Sequence, residues 1–156
     1  MSTASALPVE QEGRAQLVPL LLSISKSTRA FLALLLSEID LHPGQDQLLM
    51  RLVPGEPISV SLLADQLSVR PSTVSKMLDR LIEKDLVQRS SNDSDARRTM
   101  VRITPDGEAV RARVRSVWER LDGELCAALE NSEIGSVVRT LRQTDEVLAV
   151  KLRRLR

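Results

Sequence analysis

Between residues 58 and 104 apolar positions recur with two different periods, and the change of period marks the elements. Val60, Leu63, Ala64 and Leu67 fall at i, i+3, i+4 and i+7, the spacing of an amphipathic helix over 59–68. After a short break, Val74, Leu78, Leu81 and Ile82 repeat that spacing and predict a second helix over 71–82. The outward face of this second helix carries Ser72, Thr73, Ser75, Lys76 and Arg80. Beyond it the period drops to two: 86–90 and 98–104 read as strands, with Val101 and Ile103 on one face. The segment between them, 91–97, is polar and turn-forming.

Two short helices with a tight turn are the frame of a helix-turn-helix. Hydroxyls and cations near the start of the second helix suit base edges and phosphates. With the ribbon that follows, the arrangement is a winged helix-turn-helix, mainly α with a small two-stranded β wing. Arg97 and Arg98 stand at the wing tip, the residue type suited to a narrow, electronegative minor groove.

The flanks read as helices with more apolar surface than this reader can cover. Residues 1–13 are small and polar and read as a loose arm. A long helix is expected from about Pro19 to Ile39, with the proline in its first turn. Its apolar residues spread over two faces, Leu20, Ile24, Phe31, Leu34 and Leu35 on one, Leu21, Leu22, Leu32 and Leu36 on another. A helix apolar most of the way round needs cover on more than one side, and a partner subunit is the simplest source. A helix with Pro43 at its start follows, closed by the turn 54–57. On the far side Thr104, Pro105 and Asp106 form a helix start. A seam of Val110, Val114, Val117, Leu121, Leu125 and Ala128 runs from there through Glu130. Asn131 and Ser132 open a last helix, with Ile134, Val137, Val138, Leu141, Val147, Leu148 and Leu152 as its apolar set. The expected organisation is an arm and dimerisation helix over 1–40, a DNA-binding lobe over 41–104, and C-terminal dimerisation helices over 105–156. A symmetric dimer would set two recognition helices about 34 Å apart on a pseudo-palindromic duplex.

Composition sharpens this. Phe31 and Trp118 are the only aromatic residues, so the core is aliphatic and no stacking platform for single strands can be built. Net charge is only +1, but between Arg70 and Arg120 twelve cations face eight acids, a local excess that favours an anionic partner there. The lone cysteine, Cys126, excludes an internal disulfide and reads as a small core residue rather than a redox sensor. The single histidine, His42, excludes a histidine-based metal cluster, and it is expected at a helix start, hydrogen-bonded or exposed. No cofactor, metal or catalytic constellation is expected, so an enzyme is disfavoured. No unbroken apolar run reaches membrane length and no signal sequence is visible, so the expected setting is cytoplasmic, with no membrane partner.

The stretch 69–87, then Asp95 and Arg97 followed by Val101, Ile103 and Thr104, resembles the multiple antibiotic resistance regulator (MarR) family. The resemblance covers roughly the middle third of the chain, and Asp85 stands where that family usually has glycine. That position should be the left-handed cap of the recognition helix, which aspartate tolerates better than most residues. The resemblance implies a homodimeric, sequence-specific regulator of transcription, a repressor released by a small-molecule effector. The effector pocket would lie between dimer helices and lobe, with walls assigned from topology to Phe31, Leu35, His42, Arg51 and Trp118.

For DNA, Ser72, Thr73, Ser75 and Lys76 are assigned to the major groove, Arg70, Arg80, Arg89 and Arg98 to phosphates, and Arg97 to the minor groove. A solvated surface helix with capping hydroxyls is the plain competing reading of 71–82. Asp95 could orient Arg97 toward DNA or hold it for structure alone. Two alternatives stay open: a winged helix that serves only as a protein-interaction module without specific DNA binding, and a regulator of this type with no small ligand.

Overall fold

One aliphatic cluster joins the middle of the chain to its flanks. The computed structural model describes residues 9–92, 95–129 and 131–155. Along the chain these form helices α1 (Val9–Ser37) and α2 (Gln45–Arg51), strand β1 (Ile58–Ser59), and helices α3 (Val60–Leu67) and α4 (Pro71–Glu83). Strands β2 (Val87–Asn92) and β3 (Asp95–Ile103) follow, then the long helices α5 (Pro105–Ala128) and α6 (Asn131–Arg154). Leu36 of α1, Leu48, Leu49 and Leu52 around α2, Leu63 of α3, Val74, Leu78 and Leu81 of α4, Val101 of β3 and Val114 of α5 are all buried in one cluster. The core therefore extends from the reader segment into both flanking segments.

The two helices of the reader begin and end where their local chemistry dictates. The Ser59 side chain accepts a hydrogen bond from the Leu62 amide and caps α3, and Ser68 closes it in the left-handed conformation. Pro71 occupies the first turn of α4, where its missing N–H costs nothing. The helix ends through Asp85, which has φ 56°, as expected for the left-handed cap. There the Asp85 and Leu86 amides donate to the Ile82 and Leu81 carbonyls, each at 2.9 Å.

The wing has one strand more than the expected ribbon. The sheet order is β1-β3-β2, with Ile58 opposite Val101 and Val87 opposite Ile103. Two residues at Ile58–Ser59 are too few to show a period, so this strand becomes visible only through its partner. The strands also run further toward the tip than expected, to Asn92 and from Asp95, so much of the predicted 91–97 turn is strand. Residues 93 and 94 lie outside the described residues.

Three other expectations need correction. Helix α1 starts by Val9 rather than near Pro19, which lies inside it. The residues before Pro19 are mostly good helix formers, and their propensity outweighs the one backbone hydrogen bond that the proline removes. Residues 9–13 of the expected arm are thus helical, and 1–8 lie outside the described residues. Helix α2 begins at Gln45, not at Pro43, because Gly44 turns the chain with φ 101°, a conformation that favours glycine. The His42 and Gly44 amides there donate to Gln45 Oε1 and Asp46 Oδ1. Finally, Gln16–Ser37 is long and apolar enough to cross a membrane by length and composition, with mean hydropathy 1.4. Ser23, Ser25, Lys26, Ser27, Thr28 and Arg29 interrupt the stretch, so it holds no unbroken apolar run of that length.

The joint between wing and α5 combines a shared hydroxyl with a close backbone approach. Thr104 Oγ1 accepts from the Gly107 amide at 3.0 Å and donates to the Asp85 carbonyl at 2.6 Å, so one hydroxyl caps α5 and binds it to the end of α4. A Cβ on Gly107 would stand 1.9 Å from the Leu86 carbonyl oxygen, and backbone cannot give that much. Gly107→Ala is expected to destabilise the fold by about 2–4 kcal/mol, read as a lowered midpoint in thermal or urea unfolding.

A second tie joins the turn after α1 to the end of α4. Lys84 Nζ donates to the Asp40 carbonyl and pairs with Asp40 Oδ2 at 2.7 Å. The hydrogen bond and charge of Lys84 hold the exposed Asp40 carboxyl below its ordinary value of 3.8. A lowered carboxylate pKa adds stability above the ordinary value, and that stability is lost as acid protonates the group. Lys84→Ala should therefore lower the melting temperature slightly at neutral pH and by less well below pH 3.8, where only the carbonyl contact remains to be lost.

Candidate nucleic-acid interface

The buried stripe of α4 determines what the helix shows outside. Val74, Leu78 and Leu81 are each 0% exposed, which turns Ser72, Thr73, Lys76 and Arg80 into solvent. Ser75 lies at the edge of that face, half-buried, and Arg70 stands exposed just before the first turn. Small hydroxyls lead the exposed face, and Lys76, Asp79 and Arg80 follow them.

Beside this face lies a polar groove of about 520 Å³ between the start of α3, α4 and the wing. Ser59, Ser61 and Asp65 line one wall, Ser75 and Asp79 the second, Arg89 and Thr99 the third. Arg89, expected as a phosphate contact, reaches across to α4. Its guanidinium lies 2.9 Å from Asp79 Oδ1 and donates to the Ser75 carbonyl at 3.1 Å. Residue pattern had not suggested this contact, because Asp79 and Arg89 sit on different elements with a turn between them. Arg97 and Arg98 belong to β3, but their side chains lie outside what is described.

The five residues assigned to an effector pocket do not line one common cleft among those described. Leu35 is in the core, Phe31 and His42 are exposed, and half-buried Trp118 donates its indole N–H to the buried carboxylate of Asp46 at 3.1 Å. Arg51 lines an open cleft of about 950 Å³ between the α2–α3 region and α6, together with Asp145 and Arg153. Helix order placed the five near one another, but which way each helix face turns was not legible from order alone. A different cleft, about 430 Å³, lies where α1 meets the reader: Thr28, Arg29 and Leu32 face Pro43, Gly44, Thr73 and Met77. Among the described residues no group of three or more potential metal ligands occurs.

Cys126 is exposed rather than buried in the core. The α5 seam is covered through Val114 and Val117, and Leu125 and Leu129 beyond them are exposed. Much apolar surface elsewhere is also bare, including Leu22 at 67% and Leu34 at 70% on α1, and Val138, Leu141, Leu148 and Leu152 on α6.

The MarR family model matches residues 41–99, the span from α2 through most of β3. Over this lobe the chain is similar to the MarR family. A putative transcriptional regulatory protein for the hcr operon of Thauera aromatica is 30% identical over 101 residues, 65% of this chain and 61% of that protein. The match thus spans less than two thirds of that relative. Among solved structures, a MarR variant from E. coli complexed with operator DNA superposes with TM-score 0.75 at 24% identity, covering 88% of this chain and 99% of that one. A structure of Bordetella bronchiseptica BpsR, described in terms of regulation of its DNA binding by 6-hydroxynicotinic acid, gives TM-score 0.75 at 22% identity, covering 83% and 98%. At these identities the superpositions establish the fold: a MarR-type winged helix with long helices on both sides.

Proposed function

We propose that this chain is a dimeric transcriptional regulator of the MarR type that binds pseudo-palindromic duplex DNA and acts in the cytoplasm. The observation that carries the reading is the face of α4: hydroxyls and cations in open solvent, held there by a fully buried stripe and flanked by a wing. Thr73, Ser72, Ser75 and Lys76 meet base edges, Arg70, Arg80 and Arg98 meet phosphates, and Arg97 enters the minor groove. Operator binding by the E. coli relative of the same fold supports this. A winged helix used only for protein contacts fits less well, since interface cores favour aromatic and apolar anchors over a Ser-Thr-Lys face.

The bare apolar surfaces of α1, the end of α5 and α6 are covered by the same surfaces of a second copy. A bilayer would be a poorer cover for α1. Lys26 and Arg29 sit near the middle of the apolar stretch, where each charge costs about 2.5–3.5 kcal/mol in a membrane, and Leu35 and Leu36 are committed to the protein core. An effector fits the cleft between α1 and α4, where Arg29 offers a cation to an anionic group and Leu32 and Met77 offer apolar contacts. A ligand there would touch a dimer helix and the recognition helix at once. It could release DNA only by favouring one spacing of the two reader lobes over the other. Regulation of a relative of this fold by a small aromatic acid supports such an effector.

The test is to recover the fragments that the purified chain enriches from sheared genomic DNA and to titrate them at several salt concentrations. Affinity should fall steeply with salt, and Lys76→Ala should reduce the log–log slope by about 0.9 if it meets a phosphate, or leave it unchanged while relaxing sequence preference if it reads a base. Arg97→Ala is expected to weaken binding with the melting temperature unchanged. Absence of any salt-dependent binding above competitor DNA would sink the reading.

Sedimentation should find a species of twice 17.3 kDa. Leu141→Glu combined with Leu148→Glu, on the bare stripe of α6, should shift it toward monomer and weaken operator binding in parallel.

A further inference from the structure

We infer that Arg89 is a positioning residue that clamps the wing to the recognition helix, and that its charge is spent within the protein rather than on a DNA phosphate. The inference rests on the reading of α4 and the wing as a duplex-binding face.

The geometry carries it. Val87, at the root of β2, is buried, whereas Gln88, Arg89 and Ser90 are exposed as the strand leaves the body of the molecule. The wing is thus fastened by apolar contact at Val87 and, across the ladder, at Val101, and on the β2 side any further restraint must be polar. Arg89 supplies one. It is the third residue of β2, paired opposite Val101, and its guanidinium spans one turn of α4 from the Asp79 carboxylate at 2.9 Å to the Ser75 carbonyl at 3.1 Å. A planar fork with two acceptors fixed on one helix defines an angle as well as a distance, which a lone point charge does not. The pair is partly shielded, with the Arg89 side chain 34% exposed and Asp79 58% exposed. It lies in the polar groove between α3, α4 and the wing, beside the face that carries Lys76 and Arg80.

The clamp also accounts for an acid on a face meant for a polyanion. An exposed carboxylate on a recognition helix repels phosphates, so removing Asp79 should tighten DNA binding if electrostatics alone mattered. If Asp79 instead holds Arg89, and through it the wing, removing the carboxylate should weaken binding despite the gain in positive charge. The two accounts predict opposite signs.

The experiment compares wild type, Arg89→Ala, Arg89→Lys, Asp79→Asn and the Asp79→Asn/Arg89→Ala double variant. Each is titrated against the genomic fragment that wild type selects, labelled for fluorescence anisotropy, over a salt series. The clamp predicts that Asp79→Asn and Arg89→Ala each weaken binding by about three- to tenfold, with the double variant no worse than the singles and the salt slope unchanged. Arg89→Lys, which can keep the ion pair but not the two-point span, should fall between. Amide exchange in the outer part of β2 and β3 should quicken in both single variants while the α4 core stays protected. Tighter binding by Asp79→Asn, or a slope reduced by about 0.9 in Arg89→Ala, makes Arg89 a phosphate contact and overturns the clamp while the regulator reading stands. A wild-type chain with no salt-dependent duplex binding overturns both.

Discussion

The arrangement depends on a three-residue aliphatic stripe, Val74, Leu78 and Leu81, removed completely from water. Burying such side chains contributes about 1.5–3 kcal/mol each, far more than any exposed ion pair on the same helix. The rotation of α4 about its axis is therefore set from the inside. Its outward chemistry follows as a geometrical consequence, since residues between the buried positions have nowhere to go but solvent. Val101 of β3 and Leu63 of α3 enter the same cluster, so wing and first helix are referenced to one core. The Thr104 hydroxyl, shared between the Asp85 carbonyl and the start of α5, extends that rigid frame into the long helix.

A second constraint comes from what the chain cannot cover. The first half of α5 is buried against the reader, but its second half, most of α1 and nearly all of α6 carry apolar side chains in the open. Exposed apolar surface on this scale marks an interaction site in a soluble protein. Joined to a reader lobe, that surface supports a symmetric pair with two α4 faces at a fixed separation. The cleft containing Arg29 and Met77 lies where the two requirements meet, so a ligand there would act on the spacing and on the recognition helix together. The tie from Lys84 to Asp40 crosses the same junction and couples the end of α4 to the turn that closes α1.

Features written in local periodicity were the legible ones. The helical stripes of α3 and α4, the alternation at Val101 and Ile103, the threonine–proline start of α5 and the left-handed cap at Asp85 all depend on neighbours a few residues away. Each was found where the residues placed it. The start of α1 was misplaced because a proline that commonly opens helices sits inside one here. The start of α2 was misplaced because Gly44, with φ 101°, provides the turn that had been credited to Pro43. The residues assigned to a ligand pocket were placed by helix order alone. Leu35 and Trp118 had been treated as available, whereas one is core and the other is committed to Asp46.

Residue order alone determined the helix-turn-helix with its wing, the aliphatic character of the core, and a pair of flanking helices with more apolar surface than one subunit uses. Tertiary structure decided which side chains are already occupied: Arg89 on Asp79 and Ser75, Trp118 on Asp46, Lys84 on Asp40, and β1 on β3. The division has a physical cause. Periodicity records how each segment divides its faces between core and water, and that is settled within a few turns of chain. A polar pairing between elements depends on the distance and rotation of two separately packed bodies, and nothing in the spacing of either one specifies them.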